Sequence, residues 1–289
     1  MRLTASLSDT TSFSSIPTTL SRFTRARGCR RCRDDVDRPA RLAKLQHDDS
    51  GAEMSNLQQQ VDDFLELTLQ HLGAAEAMAP LQVEIAQLRS VWPKTGAAIG
   101  QATPTRLPAC DYLDTALALG QTGATTDLVS AIAPLSAQLQ WTYSYPADGE
   151  RGKDLAERIA FSQIVGRKGL VANADIHVGL TLIAPYTSYP PHAHPAVEVY
   201  LVVAGSATWQ AGHAAATRQP PNAVIFHPSN VPHAMTTDAE PLLAIWTWRG
   251  DLAAPSTYLD RKRSVSGLAP RRSANWNRVA AYLAEHDRK

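Results

Sequence analysis

The stretch Pro190-Pro-His-Ala-His-Pro-Ala-Val-Glu-Val-Tyr-Leu-Val-Val-Ala-Gly205 decides the fold of the C-terminal half. Side chains on a strand alternate between two faces, so residues of one parity lie together if the segment stays extended. The even positions carry polar and ionisable groups: His192, His194, Glu198 and Tyr200. The odd positions from 197 to 203 are all apolar and suit a packed face. The pattern predicts a strand with its polar face inside a barrel.

Around this stretch the apolar pattern keeps a period of two from about residue 141 onward. Strand-like segments, separated by Pro, Gly and Asn, occur at residues 176–184, 197–204, 207–211, 223–226 and 242–248. Several short strands with regular turns are typical of a sandwich or barrel. We therefore predict a mainly β protein in which residues 141–289 form a double-stranded β-helix barrel, with a short closing helix from Trp276 to Leu283.

The segment before the barrel has helical periodicity instead. Apolar residues recur at helical spacing at Leu57, Val61, Phe64, Leu65 and Leu72. Further helical runs cover residues 80–92, 111–119 and 126–139, the last of them interrupted or kinked at Pro134. Residues 54–140 are expected to form a helical layer packed on the barrel.

Residues 1–53 show no apolar period and are rich in Ser, Thr and Arg, which predicts a disordered extension. Two other interpretations stay open: an organellar targeting segment, and a translation start mis-assigned upstream of Met54. Cys29 and Cys32 form a lone CxxC without a second pair or a nearby His partner, which is too little for a zinc knuckle.

The composition of the 289-residue chain narrows the classes of partner. A net charge of +1 gives no electrostatic reason to expect nucleic acid, so a small molecule is the expected partner. Three cysteines cannot pair completely, which fits a reducing compartment. With neither a long apolar span nor the apolar core of a secretory signal, the sequence predicts a cytoplasmic protein without membrane contact. Whether it forms a homodimer stays open.

The polar face of the 190–205 stretch predicts a metal site. Two or more imidazoles with one carboxylate suit a divalent Zn, Fe, Mn, Co or Ni ion. The remaining ligand is expected from His233, which ends a Pro-x-Asn-x-x-His turn in which Asn230 tolerates a left-handed conformation. The predicted ligands of one ion are His192, His194, Glu198 and His233. His177, His213 and His227 are interpreted as structural or solvent-facing, with His227 the nearest of them to the pocket.

Taken together, these residues resemble the cupin dimethylsulfoniopropionate lyases. The likeness is carried by residues 189–209, by His227-Pro-Ser-Asn-Val-Pro-His-Ala-Met235 and by Trp246-Thr-Trp-Arg-Gly250, and it extends from about residue 54 to residue 250. The His-x-His and Glu half is common to many cupins. The tyrosine two residues after Glu198 and the HPSNxPHAM stretch are far more specific.

The resemblance implies a cupin barrel and a β-elimination that yields dimethyl sulfide and acrylate. In that family the substrate carboxylate binds the metal and the tyrosine at the position of Tyr200 acts as the base. Tyr189 matches a second family tyrosine and is the first expected substrate contact. Other aromatic residues available to face the sulfonium cation are Tyr186, Trp209, Phe226, Trp246 and Trp248.

Two other functions remain open at the level of the sequence. A metal-dependent cupin dioxygenase or isomerase acting on a small acid would use the same four ligands, although an oxygenase needs no phenol base. A non-catalytic cupin that binds a small ligand would keep affinity without turnover. No basic helix pair suited to DNA accompanies the barrel, which disfavours a transcriptional sensor.

Overall fold

The computed structural model describes residues 38–75, 79–100 and 102–259, with side chains described from Glu53 onward. The chain divides into two units after Asp49, and the contacts below lie within the unit that begins at Ser50. The Cys29 and Cys32 pair and the predicted closing helix at 276–283 fall outside the described residues. The same holds for residues 1–37 of the expected extension.

Helices occupy the N-terminal side of the described chain: α1 Arg38–Ala74, α2 Ala79–Val91, a 3-10 helix Pro108–Tyr112, α3 Leu113–Leu119, α4 Thr126–Ser136 and α5 Gly149–Arg158. The first helix begins well before Leu57, where the apolar period starts. The run expected at 126–139 ends at Ser136, with Pro134 inside its last turn, where a missing backbone N–H weakens the helix. The fifth helix was not predicted because its single buried residue, Leu155, gives no apolar period. None of the described helices combines the length and the apolar character that crossing a bilayer requires.

The strands are β1 Trp141–Thr142, β2 Ile159–Val165, β3 Ile176–Ile183, β4 Ser188–Ala193, β5 Val197–Ala204, β6 Ala207–Ala211, β7 Thr217–Gln219, β8 Val224–His227, β9 His233–Thr237, β10 Leu242–Arg249 and β11 Thr257–Tyr258. They form a six-stranded sheet in the order β1-β2-β3-β10-β5-β8 and a five-stranded sheet in the order β11-β4-β9-β6-β7. Neighbouring strands run antiparallel in both sheets. The predicted fold class, a mainly β cupin barrel with helices on its N-terminal side, is confirmed.

One premise of the parity argument is wrong, because residues 190–205 do not form one extended strand. His192 lies on β4 of the five-stranded sheet, whereas Glu198 lies on β5 of the six-stranded sheet. The chain bends at Pro195 and Ala196, where proline cannot continue a ladder of hydrogen bonds. The polar residues still approach one another, because the two sheets face each other across the barrel interior.

The alternation itself holds along β5 and divides the core into two clusters. Val199, Leu201 and Val203 are buried in a cluster that also contains side chains of the helices, such as Phe64 and Leu128. Tyr200 and Val202, of the opposite parity, belong to a second cluster inside the barrel, which contains most of the buried aromatic side chains of the β region: Tyr145, Tyr189, Tyr200, Trp209 and Trp246. The six-stranded sheet therefore separates an aliphatic helix interface from an aromatic barrel interior.

A partly buried ion pair also joins the helices to the barrel. The Arg249 guanidinium, at the end of β10, donates from Nε and Nη2 to the two carboxylate oxygens of Glu84 on α2, at 2.8 and 2.7 Å. Two parallel hydrogen bonds of this kind fix orientation as well as distance. The pair fixes the end of the strand that carries Trp246 and Trp248.

Candidate metal centre and active-site cavity

Two imidazoles and one carboxylate meet in the barrel interior. The Nε2 atoms of His194 and His233 both lie 3.1 Å from Glu198 Oε2. Potential ligand atoms of these three buried residues all lie within 4.8 Å of one another. His194 follows β4, Glu198 lies on β5 and His233 begins β9, so the group draws on both sheets. This arrangement can hold a divalent transition-metal ion, for which nitrogen and carboxylate donors are suited.

The backbone fixes which nitrogen of each imidazole is available. The Nδ1 atoms donate to carbonyl oxygens, His194 to Ala196 at 3.0 Å, His233 to Val231 at 2.9 Å and His192 to Pro190 at 2.9 Å. Because a carbonyl can only accept, Nδ1 of each ring carries a hydrogen, so the neutral form of each imidazole presents the Nε2 lone pair. His233 Nε2 is buried without a hydrogen-bond partner, since its approach to Glu198 lacks hydrogen-bond geometry. These orientations are those of imidazoles prepared to bind metal.

His192, the fourth predicted ligand, lies beside this group. Its ring centroid is 4.1 Å from that of His233 and 6.4 Å from that of His194. Burial lowers the pKa of His192 well below its ordinary value, with the neighbouring His233 as the next cause, so the ring is neutral. Its place among the ligands stays a prediction.

The Glu198 carboxylate is held from two further sides. Trp248 donates its indole N–H to Oε1 at 2.7 Å, and His227 Nδ1 lies 3.3 Å from Oε2. Burial alone would raise the pKa of Glu198, but the contacts with His194, His227 and His233 outweigh it and hold that pKa well below its ordinary value. The group is therefore a carboxylate despite its complete burial.

His227, interpreted from the sequence as structural or solvent-facing, is fully buried and stacks on His233 with ring centroids 3.9 Å apart. Burial, reinforced by His233, lowers its pKa to about 4, so the imidazole is neutral. It pairs in register with Glu198 across β5 and β8. Its contact with the carboxylate makes it a partner of the predicted ligand set.

Tyr200 lies two residues beyond Glu198 on the same inner face of β5. Its ring contacts Trp209 and His227, with centroid separations of 5.7 and 5.8 Å. Burial, followed by the charge of Glu198, raises the pKa of the Tyr200 phenol well above its ordinary value. In the metal-free protein the phenol is consequently protonated.

A second group of phenols covers the His192 side of the site. Tyr189 stacks on the His192 ring with centroids 4.1 Å apart, and its hydroxyl is hydrogen-bonded to that of Tyr145. Tyr145 in turn donates to Ser256 Oγ at 2.7 Å and stacks on Tyr258. Sequence reasoning missed Tyr145, Ser256 and Tyr258, because they lie in loops and in a two-residue strand that carry no periodic signal.

A cavity of about 540 Å³ opens beside these groups. Of the predicted substrate contacts, Tyr189, Trp246 and Trp248 line it together with Tyr200. Its other walls are formed by β2, by the turn after it, and by the segment 252–256. The volume suits a small organic molecule with room to spare.

Three predicted substrate contacts are not among the residues that line the cavity. Tyr186 is 75% exposed on a turn with a left-handed backbone, and its role as a substrate contact stays a prediction. Phe226 pairs with Val199 and packs with it against the helical cluster, because β8 places it on the outer face. Trp209 is buried in the barrel core, with its ring against that of Tyr200, which lines the cavity.

A family model, that of the dimethylsulfoniopropionate lyases, matches residues 82–244, which is more than half of the chain. The chain belongs to the dimethylsulfoniopropionate lyase family. This match confirms the family predicted from the motifs, and the matched region contains the predicted ligands of the site together with Tyr189 and Tyr200.

Two curated relatives agree with this placement in the lyase family. A putative dimethylsulfoniopropionate lyase, DddL of Cereibacter sphaeroides, is 32% identical over 155 residues, which cover 53% of this chain and 64% of that protein. The dimethylsulfoniopropionate lyase DddQ of Ruegeria pomeroyi is 32% identical over 151 residues, or 52% of this chain and 74% of the relative. The chain thus matches less than two thirds of DddL's length.

Solved structures of lyases support the same fold. The crystal structure of DddQ from Ruegeria pomeroyi superimposes with a TM-score of 0.50 at 27% identity, over 62% of this chain and 92% of that one. A chain from the crystal structures of the lyases RdDddP and RnDddQII gives a TM-score of 0.56 at 24% identity, over 71% of this chain and 100% of that chain. The second likeness is evidence for the fold alone.

Proposed function

We propose that this protein is a metal-dependent carbon-sulfur lyase that cleaves dimethylsulfoniopropionate by β-elimination into dimethyl sulfide and acrylate. Membership of the lyase family supports the substrate and the reaction. The observation that carries the mechanism is the convergence of His194, Glu198 and His233, together with a cavity that His194, Glu198 and Tyr200 line. The proposed metal ligands, the proposed base and a cavity for the substrate thus lie side by side.

The proposed ligands of one divalent ion are His192, His194, Glu198 and His233. The carbonyl contacts of the three imidazoles hold each Nε2 ready, and Trp248 and His227 hold the carboxylate. A bound divalent ion supplies Lewis acidity at the substrate carboxylate, which stabilises the negative charge that develops when the α-proton leaves. The donor set accommodates Zn, Fe, Mn, Co or Ni.

Tyr200 is the proposed base. As the phenolate, its oxygen takes the α-proton, the electrons of the broken C–H bond form the double bond of acrylate, and the C–S bond breaks with its pair retained on sulfur. Dimethyl sulfide leaves as a neutral molecule, so no general acid is needed. Since burial raises the pKa of this phenol, a nearby positive charge must offset it before the phenolate can form.

The aromatic wall provides the proposed site for the sulfonium end. Trp246 and Trp248 line the cavity from β10, with ring centroids 5.5 Å apart, and Tyr189 closes the opposite side. A cation over aromatic faces gains about 0.5–2 kcal/mol, depending on desolvation. A zwitterion placed with its carboxylate at the ligand group would present its sulfonium to these rings.

Headspace measurement of dimethyl sulfide tests the proposal. Purified full-length protein should release dimethyl sulfide from dimethylsulfoniopropionate, lose this activity after exhaustive chelation, and regain it when a divalent transition metal is restored. Because the ligand group is buried, metal removal should be slow rather than instantaneous. Full activity in protein shown to be metal-free by elemental analysis would contradict the metal-dependent mechanism, and no dimethyl sulfide from fully metallated protein would contradict the function.

A further inference from the structure

The cavity has a second end that the proposed reaction does not use. His177 on β3 pairs in register with Trp248 on β10, which pairs with Glu198 on β5. Because one strand intervenes and strands lie about 4.8 Å apart, the backbones of His177 and Glu198 are about 10 Å apart. Both residues line the cavity, so its His177 end is well separated from the ligand group.

His177 itself offers an unused polar atom at that end. The side chain is only 7% exposed, and its Nε2 is buried with no hydrogen-bond partner among the described residues. Alternation along β3 turns His177 into the barrel, since its neighbours Ile176 and Val178 belong to the helical cluster. A buried nitrogen without a partner, in a side chain that lines a cavity, calls for an explanation, and a bound ligand supplies one.

The turn after β2 brings two cations to the same end. Gly166 lies so close to His177 that a Cβ there would be 2.5 Å from the imidazole Cδ2, and its φ of +136° is one that glycine accepts. The Lys168 backbone N–H donates to Gln163 Oε1 at 2.7 Å, which closes the turn. Arg167 and Lys168 are exposed at the mouth and line the cavity.

Charge at the two ends of the cavity is asymmetric. Among the described residues that line it, Glu198 is the one carboxylate, and its oxygens are occupied by Trp248 and by imidazoles. The mouth carries Arg167 and Lys168 without an acidic neighbour on the lining. This end therefore attracts anions, and the His177 imidazole lines the same end.

We propose that Arg167, Lys168 and His177 form a subsite for a small monocarboxylate at the mouth of the cavity, and that its natural occupant is the acrylate product. The identity of the occupant rests on the proposed function, whereas the binding of a carboxylate does not. A zwitterionic substrate has no net charge and brings its own cation, while acrylate is a plain anion. The subsite consequently favours product over substrate.

Binding of propionate to the metal-free full-length protein tests the subsite without any catalysis. Propionate is an unreactive carboxylate of the size of acrylate, and the absence of metal removes the competing centre. Titration calorimetry should show saturable binding. Arg167→Gln/Lys168→Gln should weaken it about fivefold, the scale expected for two exposed cations. Lys153→Gln, an exposed lysine away from the cavity lining, should leave it unchanged.

His177→Gln should also lose propionate binding. Circular dichroism checks that this variant keeps its fold. The absence of saturable propionate binding to the wild type, or equal weakening by Lys153→Gln, would overturn the subsite.

Product inhibition then identifies the occupant. In the Arg167→Gln/Lys168→Gln variant the inhibition constant of acrylate should rise about fivefold, while the KM for dimethylsulfoniopropionate changes less than twofold. An unchanged inhibition constant would overturn acrylate as occupant. Propionate binding in a protein that releases no dimethyl sulfide would instead contradict the proposed function and leave the carboxylate subsite standing.

Discussion

The two faces of β5 use one backbone for opposite purposes. Val199, Leu201 and Val203 point outward into an aliphatic cluster shared with the helices, whereas Glu198 and Tyr200 point inward among imidazoles, indoles and phenols. The outward face needs only shape and hydrophobicity. The inward face depends on single hydrogen bonds from other strands, so its properties cannot be assigned to β5 alone.

The largest expected effect on stability lies on the outer face, in Leu201→Ala. The Leu201 side chain is 1% exposed in the helix-facing cluster, so its truncation should lower the free energy of unfolding by about 2–5 kcal/mol. Urea denaturation measures this. The kcat per folded molecule should not change, because the residue faces away from the cavity.

The matched control for Leu201→Ala is Val83→Ala on α2. The Val83 side chain is 54% exposed, so its truncation should change the free energy of unfolding by less than about 0.5 kcal/mol. A large loss of kcat in folded, metallated Leu201→Ala protein would contradict the conclusion that the outer face of β5 serves packing alone.

A smaller effect is expected on the inner face from Trp248→Phe, which removes the indole N–H that holds Glu198 Oε1. Loss of a partner that orients a metal ligand typically weakens metal binding about 10- to 100-fold. Competition with a chromophoric chelator measures the affinity.

Trp209→Phe is the control for Trp248→Phe within the same barrel, because the Trp209 indole nitrogen is buried without a hydrogen-bond partner. Equal metal affinities in the two variants would mean that Trp248 does not support the ligand.

The smallest effect is expected from removing residues 1–53. Met54 is 39% exposed, and among the α1 side chains described from Glu53 onward the first buried one is Val61, so a chain starting at Met54 should keep its fold and activity. Thermal unfolding and dimethyl sulfide release at equal metal content compare the two chains. Insolubility or inactivity of the shorter chain would show that the extension contributes to packing.

Alternation and turn chemistry were sufficient to predict much of the fold. The outward face of β5 and the barrel strands follow from a period of two, and Asn230 has the expected left-handed φ of 61°. These features are determined by residues that are close together in the chain, so they can be predicted from one sequence.

Long-range pairing could not be predicted in the same way. The parity argument placed His192 and Glu198 on one strand, although they lie on two facing sheets and meet across the barrel. Phe226 was predicted as a substrate contact from its place in a strand, whereas the face of the sheet that it occupies depends on the pairing of β5 and β8. The contact of Tyr145 with Tyr189 likewise depends on a segment whose sequence has no period.

The central claim is that the inner face of β5 performs the chemistry through Tyr200, and Tyr200→Phe tests it most directly. The variant keeps the ring that packs against Trp209 and removes the phenol oxygen. With metal occupancy measured and equal, kcat for dimethyl sulfide release should fall about 10²–10⁴-fold, the usual contribution of a general base, with little change in substrate affinity. Tyr189→Phe should act more on KM. A fully metallated Tyr200→Phe enzyme that releases dimethyl sulfide within a few-fold of the wild-type rate would contradict the account.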